Sequence, residues 1–530
     1  MLHGYTVREV GCHAPSAICV PCSVAVSCAA ADQSARRIEL DVAKASQPID
    51  RFYALSVGSD YPGTLIREDS QAHLAAASDE LGFQYLRFHD LFHDALGTVR
   101  RVDGQIVYDW TKIDQLYDTM LAKGVRPFVE LSFTPSALKT SDQSLFYWKA
   151  NTSHPDPTLW RNLVESYLRH VIARYGMDEV RRWYFEVWNE PNLKDFWEGA
   201  DRDAYFALYA NTARALKKVD AGLRVGGPST AGAAWIPEFL AFCEKEKVPV
   251  DFVTTHTYGV DGGFLDEEGK QDTKLISSPD AIVADVRRAR QEIEASAFPG
   301  LPLYFTEWSS SYSPRDMVHD SYVNAPYVLT KLKQTRGIAQ AMSYWAYTDL
   351  FEEAGPPPTP FHGGFGLMNR EGVRKPTWFA YKYLNQLAGR EIPTTDAYTW
   401  ASVDGRRIAI LAWDWQQPVQ DTSNRPFYSR KLPSALAVPL SLRVRNLEPG
   451  RYRLKVHRTG YLNNDPLTAY IDMGLPTALN AVQLDDLQAE TTDQPERDTL
   501  VTVGSDGAID LDQTMRSNDV VLLILDRSDK

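Results

Sequence analysis

Short apolar runs rich in β-branched and aromatic residues alternate with longer stretches of helical spacing through the first three-quarters of the chain. The runs predict strands over Phe52–Ser56, Tyr85–His89, Arg126–Phe133, Trp183–Trp188, Arg224–Pro228, Phe252–Tyr258, Leu303–Glu307 and Ala341–Tyr347. The stretches between them predict helices, among them Ser70–Leu81, Thr111–Lys123, Leu159–Tyr175, Arg202–Val219, Trp235–Lys247, Pro279–Ala297 and Ala325–Thr335. Eight strands alternating with helices argue for a closed (β/α)₈ TIM barrel over residues 51–390. An open doubly wound sheet would need a Gly-x-Gly-x-x-Gly turn after an early strand, and none occurs.

After about residue 390 the pattern changes. Helical periodicity gives way to short strands, expected at Arg407–Trp413, Ala437–Val444, Tyr452–Thr459, Leu500–Val503 and Val520–Leu525, with turn pairs such as Pro449-Gly450 between them. Residues 391–530 therefore read as an accessory antiparallel β-sandwich. Within residues 32–50, Arg37–Val42 has the texture of one more strand, which is expected to cross over and join that sandwich. A Pro-rich loop, Gly355 to Pro360, follows the eighth barrel strand.

Residues 1–31 read as a secretory signal: Arg8, an apolar middle from Ile18 to Val26, and small residues ending at Ala31. Export to the periplasm or medium is the expectation. Four of the five cysteines lie in this stretch; without it only Cys243 remains, and no internal disulfide can form. A lipid anchor on Cys28 is the competing reading. Cys19-x-x-Cys22 has no further His or Cys at a ligand spacing, so it does not read as a metal site. Nor does the run of apolar residues reach the 18 needed to span a membrane.

With 530 residues the chain has room for a barrel and a second domain, and 44% hydrophobic residues suffice for a large core. The net charge of −13, with no basic patch, argues against nucleic-acid partners and polyanionic substrates. The surplus of aromatic rings suits the flat apolar faces of sugars, although most rings belong to the core.

Two strand ends carry the chemistry. Phe185-Glu186-Val187-Trp188-Asn189-Glu190-Pro191-Asn192 ends at Pro191, which cannot continue a ladder, so Glu190 tops its strand. Tyr304-Phe305-Thr306-Glu307-Trp308 delivers a second carboxylate about three to four strand–helix units later. Paired carboxyl groups on one barrel rim are what cleavage of a glycosidic bond requires. Glu190 is placed to protonate the leaving oxygen and Asn189 to bind the sugar 2-hydroxyl. At a separation of about 5–5.5 Å, Glu307 would be a nucleophile that forms a covalent glycosyl-enzyme. Its negative charge is then expected to raise the pKa of Glu190 until it is esterified.

With these motifs in hand, the sequence resembles glycoside hydrolase family 39, above all its β-xylosidases. The resemblance is carried by Arg87-Phe88-His89, Phe146-Tyr147-Trp148-Lys149, Trp188 to Trp197, Val225-Gly226-Gly227-Pro228, Thr306-Glu307 with Ser311-Tyr312-Ser313-Pro314, Ser343-Tyr344-Trp345, Phe351-Glu352-Glu353 and Phe361 to Leu367. It implies a barrel with an accessory β-sandwich, Glu190 as acid/base and Glu307 as nucleophile. By the same resemblance, His89, His256, Tyr258, Tyr312, Trp345, Glu352 and Glu353 line the sugar pocket. Tyr312 is expected to bond Glu307 or the ring oxygen, and Trp345 to stack on the sugar. The plainer alternatives are a charged loop pair for Glu352 and Glu353, core packing for Trp345 and a satisfied strand-end imidazole for His256.

The expected reaction is release of xylose from xylo-oligosaccharides by a retaining exo-β-1,4-xylosidase, with no cofactor and no metal. Two alternatives stand beside it: another activity of the family, α-L-arabinoside-cleaving or α-L-iduronidase-like, and a non-catalytic carbohydrate-binding barrel. A uronate substrate would call for Lys or Arg in the pocket, whereas Glu352-Glu353 suits a neutral pentose. Trp308-Ser309-Ser310 and Thr257-Tyr258 depart from the familiar xylosidase pattern and leave the glycone open. The sequence does not speak to the oligomeric state.

Overall fold

A computed structural model describes residues 35–528. The proposed signal segment, residues 1–31, lies outside the described residues. Eight parallel strands close into a barrel in chain order: β1 (Ser56–Ser59), β2 (Tyr85–Phe88), β3 (Arg126–Leu131), β4 (Tyr184–Val187), β5 (Arg224–Thr230), β6 (Phe252–Tyr258), β7 (Leu303–Ser309) and β8 (Ala341–Tyr344). The fold class matches the sequence reading, with one misplaced strand. Phe52–Ala54 forms a buried 3₁₀ turn, and the first strand begins only at Ser56. Ser-Val-Gly-Ser carries little strand signal because the barrel needs small residues there. A Cβ on Gly58 would lie 2.0 Å from Trp345 Cε3, so only glycine lets that indole close over the strand.

The barrel interior is layered. At its N-terminal end, Tyr85, Phe128, Tyr184, Phe252, Tyr304 and Ala341, from six strands, form a buried plug. One turn of pleat higher the side chains become ionic: Arg87, Glu130 and Glu186. Above them, at the C-terminal rim, stand His89, Glu190 and Glu307. The outer helices bury one face each. Arg202–Val219, for example, buries Tyr205, Phe206, Leu208, Tyr209, Ala213 and Leu216, is capped by the Asp201 carboxylate on Ala204 N–H, and ends in Lys217 and Lys218, cations that suit a helix C-terminus.

Beyond the last barrel helix, Pro376–Asn385, a six-stranded antiparallel sheet is built from Arg390–Ile392, Thr399–Asp404, Arg407–Trp413, Val520–Ser528, Gly450–Thr459 and Arg497–Val503. A second sheet of three strands packs on it, sharing a core that includes Ile38, Leu40, Leu442 and Leu511 from the small sheet and Ile408, Ile410, Leu454 and Leu523 from the large one. In the small sheet Arg36–Asp41 pairs in parallel with Leu440–Arg445, which pairs antiparallel with Ile509–Gln513. The expectation that helical texture ends near residue 390 is corrected here. Pro466–Asp472 and Ala481–Glu490 are helices, the second opened by a capping box in which Asn480 and Gln483 satisfy each other's backbone N–H. Among the described residues no helix is long and apolar enough to cross a membrane.

Candidate active site

Glu190 and Glu307 reach the same rim by different local devices. Glu190 has a positive φ of 48° and Trp188 one of 74°, so the chain leaves β4 in a sharp turn, pinned where Glu190 N–H donates to Ser229 O at 2.8 Å. On β7 a bulge lies between Phe305 and Glu307: Thr255 faces Phe305, yet the next residue, His256, faces Glu307. The extra residue, Thr306, turns inward and donates to Glu186 Oε1 at 2.7 Å. The bulge thus places Glu307 beside His256.

One carboxylate oxygen of Glu190 and one of Glu307 lie within 4.8 Å of each other, with His256 in the same group. That separation matches the short spacing of retaining glycosidases and leaves no room for the intervening water of an inverting one. His256 Nδ1 lies 2.8 Å from Glu190 Oε1 and 3.6 Å from Glu307 Oε2. Tyr258 OH donates to Glu307 Oε2 at 2.7 Å.

Beneath the pair lies a buried ionic hub that the sequence reading missed. The Arg87 guanidinium donates from Nε to Glu186 at 2.5 Å, from Nη1 to Glu307 at 2.7 Å and from Nη2 to Asn189 Oδ1 at 2.8 Å, and Nη2 also pairs with Glu130 at 2.7 Å. All of Arg87 is shielded from solvent. Because Asn189 spends its carbonyl on Arg87, its NH₂ is left facing the cavity as a donor. His89 bonds Glu130 through Nδ1 at 2.9 Å and Glu353 through Nε2 at 3.2 Å. The signal was present in the sequence: Glu130 and Glu186 interrupt otherwise apolar strands, and they are cross-strand partners, so a cation must stand between them.

Burial pushes the Glu190 carboxyl up to about 7, even though His89 and Arg87 pull the other way. Burial also raises Glu307; His256 and Arg87 oppose this, and the charge of Glu190 adds to it. Desolvation is the larger lift on Glu190, and the mutual repulsion of the two carboxylates keeps both from being charged together. His256 is driven by burial down to about 4, so it is neutral in the working range. Burial opposes charge on His89 as well, but Glu130 and Glu353 hold its imidazole protonated well above the ordinary value.

A cavity of about 520 Å³ opens over these groups, lined by His89, Asn189, Glu190, Tyr258, Glu307, Tyr312, Trp345 and Glu353 among the expected residues. Leu193, Phe196, Asp285 and Phe365 line it too, and were not foreseen. Three expectations change. Glu352 turns away, its carboxylate 2.7 Å from Arg67 Nη1, so of the two adjacent glutamates only Glu353 faces the cavity. His256 is fully buried beneath the carboxylates and contacts them rather than a sugar. Tyr258, not Tyr312, holds Glu307; Tyr312 is half exposed at the mouth. His89, Glu130 and Glu307, like Glu190, His256 and Glu307, converge closely enough to suggest metal ligands. In the first group a protonated His89 has no lone pair to offer, and Arg87 already supplies the cation to Glu130 and Glu307.

Two buried carboxyl groups at this spacing on the C-terminal rim of a (β/α)₈ barrel define a barrel glycosidase. The chain belongs to glycosyl hydrolases family 39, whose sequence model matches residues 36–510. It is 37% identical over 464 residues to a β-xylosidase of Caldicellulosiruptor saccharolyticus, spanning 85% of this chain and 90% of that one. The crystal structure of a GH39 enzyme from Xanthomonas axonopodis pv. citri superposes with a TM-score of 0.92 at 67% identity, covering 93% of this chain and 98% of the other. A monomeric β-xylosidase from Caulobacter crescentus CB15 superposes with a TM-score of 0.92 at 62% identity, covering 93% of this chain and all of the other.

Proposed function

We propose that the chain is a retaining exo-β-1,4-xylosidase that releases xylose from xylo-oligosaccharides by double displacement. The observation that carries this is the approach of the Glu190 and Glu307 oxygens to within 4.8 Å. Glu307, hydrogen-bonded by Arg87 and Tyr258, attacks the anomeric carbon as the carboxylate while Glu190 passes its proton to the leaving oxygen. The sugar is then esterified to Glu307. Glu190, now a carboxylate, takes a proton from water, and the hydroxyl attacks the same carbon from the face the leaving group vacated. Xylose departs with its anomeric configuration kept, and both carboxyl groups return to their starting states.

The pocket fits a neutral pentose. Glu353 and Asn189 offer an acceptor and a donor to sugar hydroxyls, and the nearly buried Trp345 indole contributes apolar wall. Among the described residues lining the cavity there is no Lys or Arg, which speaks against a uronate. The β-xylosidase relatives support the sugar. Rates on p-nitrophenyl β-xyloside, α-arabinoside, β-glucoside and an iduronide analogue test the proposal. The β-xyloside is expected to be fastest, with β-xylose as first product by NMR; a β-xyloside rate no better than the others, or α-xylose first, removes it.

A further inference from the structure

The small helix Asn424–Tyr428 belongs to the accessory region, between strands Arg407–Trp413 and Leu440–Arg445, yet its first residue is buried among barrel loops. The Asn424 amide is fully used. Its Oδ1 accepts from Leu275 N–H at 3.3 Å and from Gln420 Nε2 at 2.7 Å. Its Nδ2 donates to Asp316 Oδ2 at 2.8 Å and to Thr273 Oγ1 at 3.3 Å. Leu275 and Thr273 lie on the returning strand of the hairpin Val260–Leu265/Gln271–Leu275, which springs directly from the end of β6. Asp316 lies in the loop that follows β7, where it also accepts from Thr273 Oγ1 at 2.6 Å, and its N–H donates to Gly363 O at 3.0 Å in the loop after β8.

The clamp lies next to the nucleophile's partner. Ile276 N–H closes the base of the hairpin on Gly259 O at 3.0 Å, and Gly259 is the residue after Tyr258. Gln417, also from the accessory region, donates from Nε2 to Ile276 O at 3.0 Å. Two amide side chains of the accessory region thus hold the hairpin base from the outside, while Tyr258 holds Glu307 from the inside. A hydrogen bond of 2.7 Å to a buried carboxylate is sensitive to small displacements of the strand end that carries it.

We propose that Asn424 is a positioning residue for the nucleophile: through the hairpin base it keeps the Tyr258 hydroxyl on Glu307, making the accessory region part of the catalytic apparatus. This rests on Glu307 being the nucleophile. A residue that only glued the two parts together would alter stability and leave the turnover of folded enzyme unchanged.

The test is a double-mutant cycle on the full-length enzyme with p-nitrophenyl β-xyloside, fold being monitored by circular dichroism. Asn424→Ala is expected to lower kcat about 10-fold with KM changed less than about 2-fold. It is also expected to move the acidic limb of the kcat/KM profile to higher pH, because Glu307 loses a donor. In a Tyr258→Phe background the same substitution is expected to change kcat less than about 2-fold, since the bond it protects is already gone. An equal loss in both backgrounds, or a folded Asn424→Ala enzyme with full kcat, overturns the proposal. If Asn424→Ala does not fold, Gln417→Ala is read in both backgrounds by the same criteria, and no effect or an equal effect overturns the proposal. A wild-type enzyme inactive on every aryl glycoside would instead remove the glycosidase reading itself, a separate result.

Discussion

The Nδ1 of His256 lies 2.8 Å from Glu190 Oε1, in a position shut off from solvent, and the imidazole is neutral above about pH 4. With its proton on Nε2 the neutral ring accepts at Nδ1 from the protonated acid, and with its proton on Nδ1 it donates to the ionised base; in neither tautomer does it take the Glu190 proton for itself.

The basic limb of activity belongs to Glu190 rather than to a histidine. Its carboxyl must be protonated to act as acid, so kcat/KM on xylobiose is expected to fall above about pH 7. In Glu190→Ala that limb disappears. Aryl xylosides with good leaving groups are still glycosylated, while xylobiose is not cleaved. His256→Asn retains a limb. Profiles from pH 4 to 9 decide the matter: a limb that vanishes in His256→Asn and persists in Glu190→Ala reverses the assignment.

Removing the nucleophile leaves a space within reach of the anomeric carbon. Glu307→Ala is expected to lower kcat by about 10⁴-fold or more. Added azide should restore turnover and give the α-xylosyl azide, since one displacement inverts where two retain. A β-configured azide product by NMR would contradict the role.

Glu190 makes the fold weaker as it becomes charged. Its folded pKa of about 7 lies above the ordinary 4.5, so its favourable share of stability is complete below about pH 4.5 and is lost as pH rises through about 7. The loss is of the order of 3 kcal/mol. Glu190→Gln never ionises and offers an NH₂ to His256. The variant is expected to melt higher than wild type at pH 8, with the advantage shrinking toward pH 5. Equal differences in Tm at the two pH values would count against a raised pKa.

The two adjacent glutamates should behave differently. Glu353 lines the cavity and bonds His89, so Glu353→Ala is expected to cost about 10²-fold in kcat/KM. Glu352 pairs with a partly exposed Arg67, a contact worth at most about 1 kcal/mol, so Glu352→Ala should stay within a few-fold of wild type. Steady-state kinetics of the pair would expose an exchange of roles.

The parts of the fold most legible in the sequence were those where pattern and burial agree. Phe252–Tyr258 and Arg202–Val219 have the bounds their periodicity predicts, because each is a regular element with one dominant face. The strand at Ser56 was hidden because close approach of the Trp345 indole demands small residues rather than β-branched ones. In the site, the carboxylates at 190 and 307 were readable from strand ends. Which of Glu352 and Glu353 faces inward was not, since neighbours in an irregular loop share no periodicity. The role of Arg87 depends on its strand meeting three others, those of Glu130, Glu186 and Glu307, and no single stretch of sequence displays that. The helix at Ala481 was overlooked although Asn480-x-x-Gln483 announces its start.

The parallel pairing of Arg36–Asp41 with Leu440–Arg445 also sets an order of assembly. During synthesis the first strand leaves the ribosome about 400 residues ahead of its partner, so the barrel can close while that segment is still an unpaired edge. The smaller sheet is completed only when Ile509–Gln513 arrives, and the larger one later still, when Val520–Ser528 enters between Arg407–Trp413 and Gly450–Thr459, so both layers of the accessory region wait for the last residues of the chain.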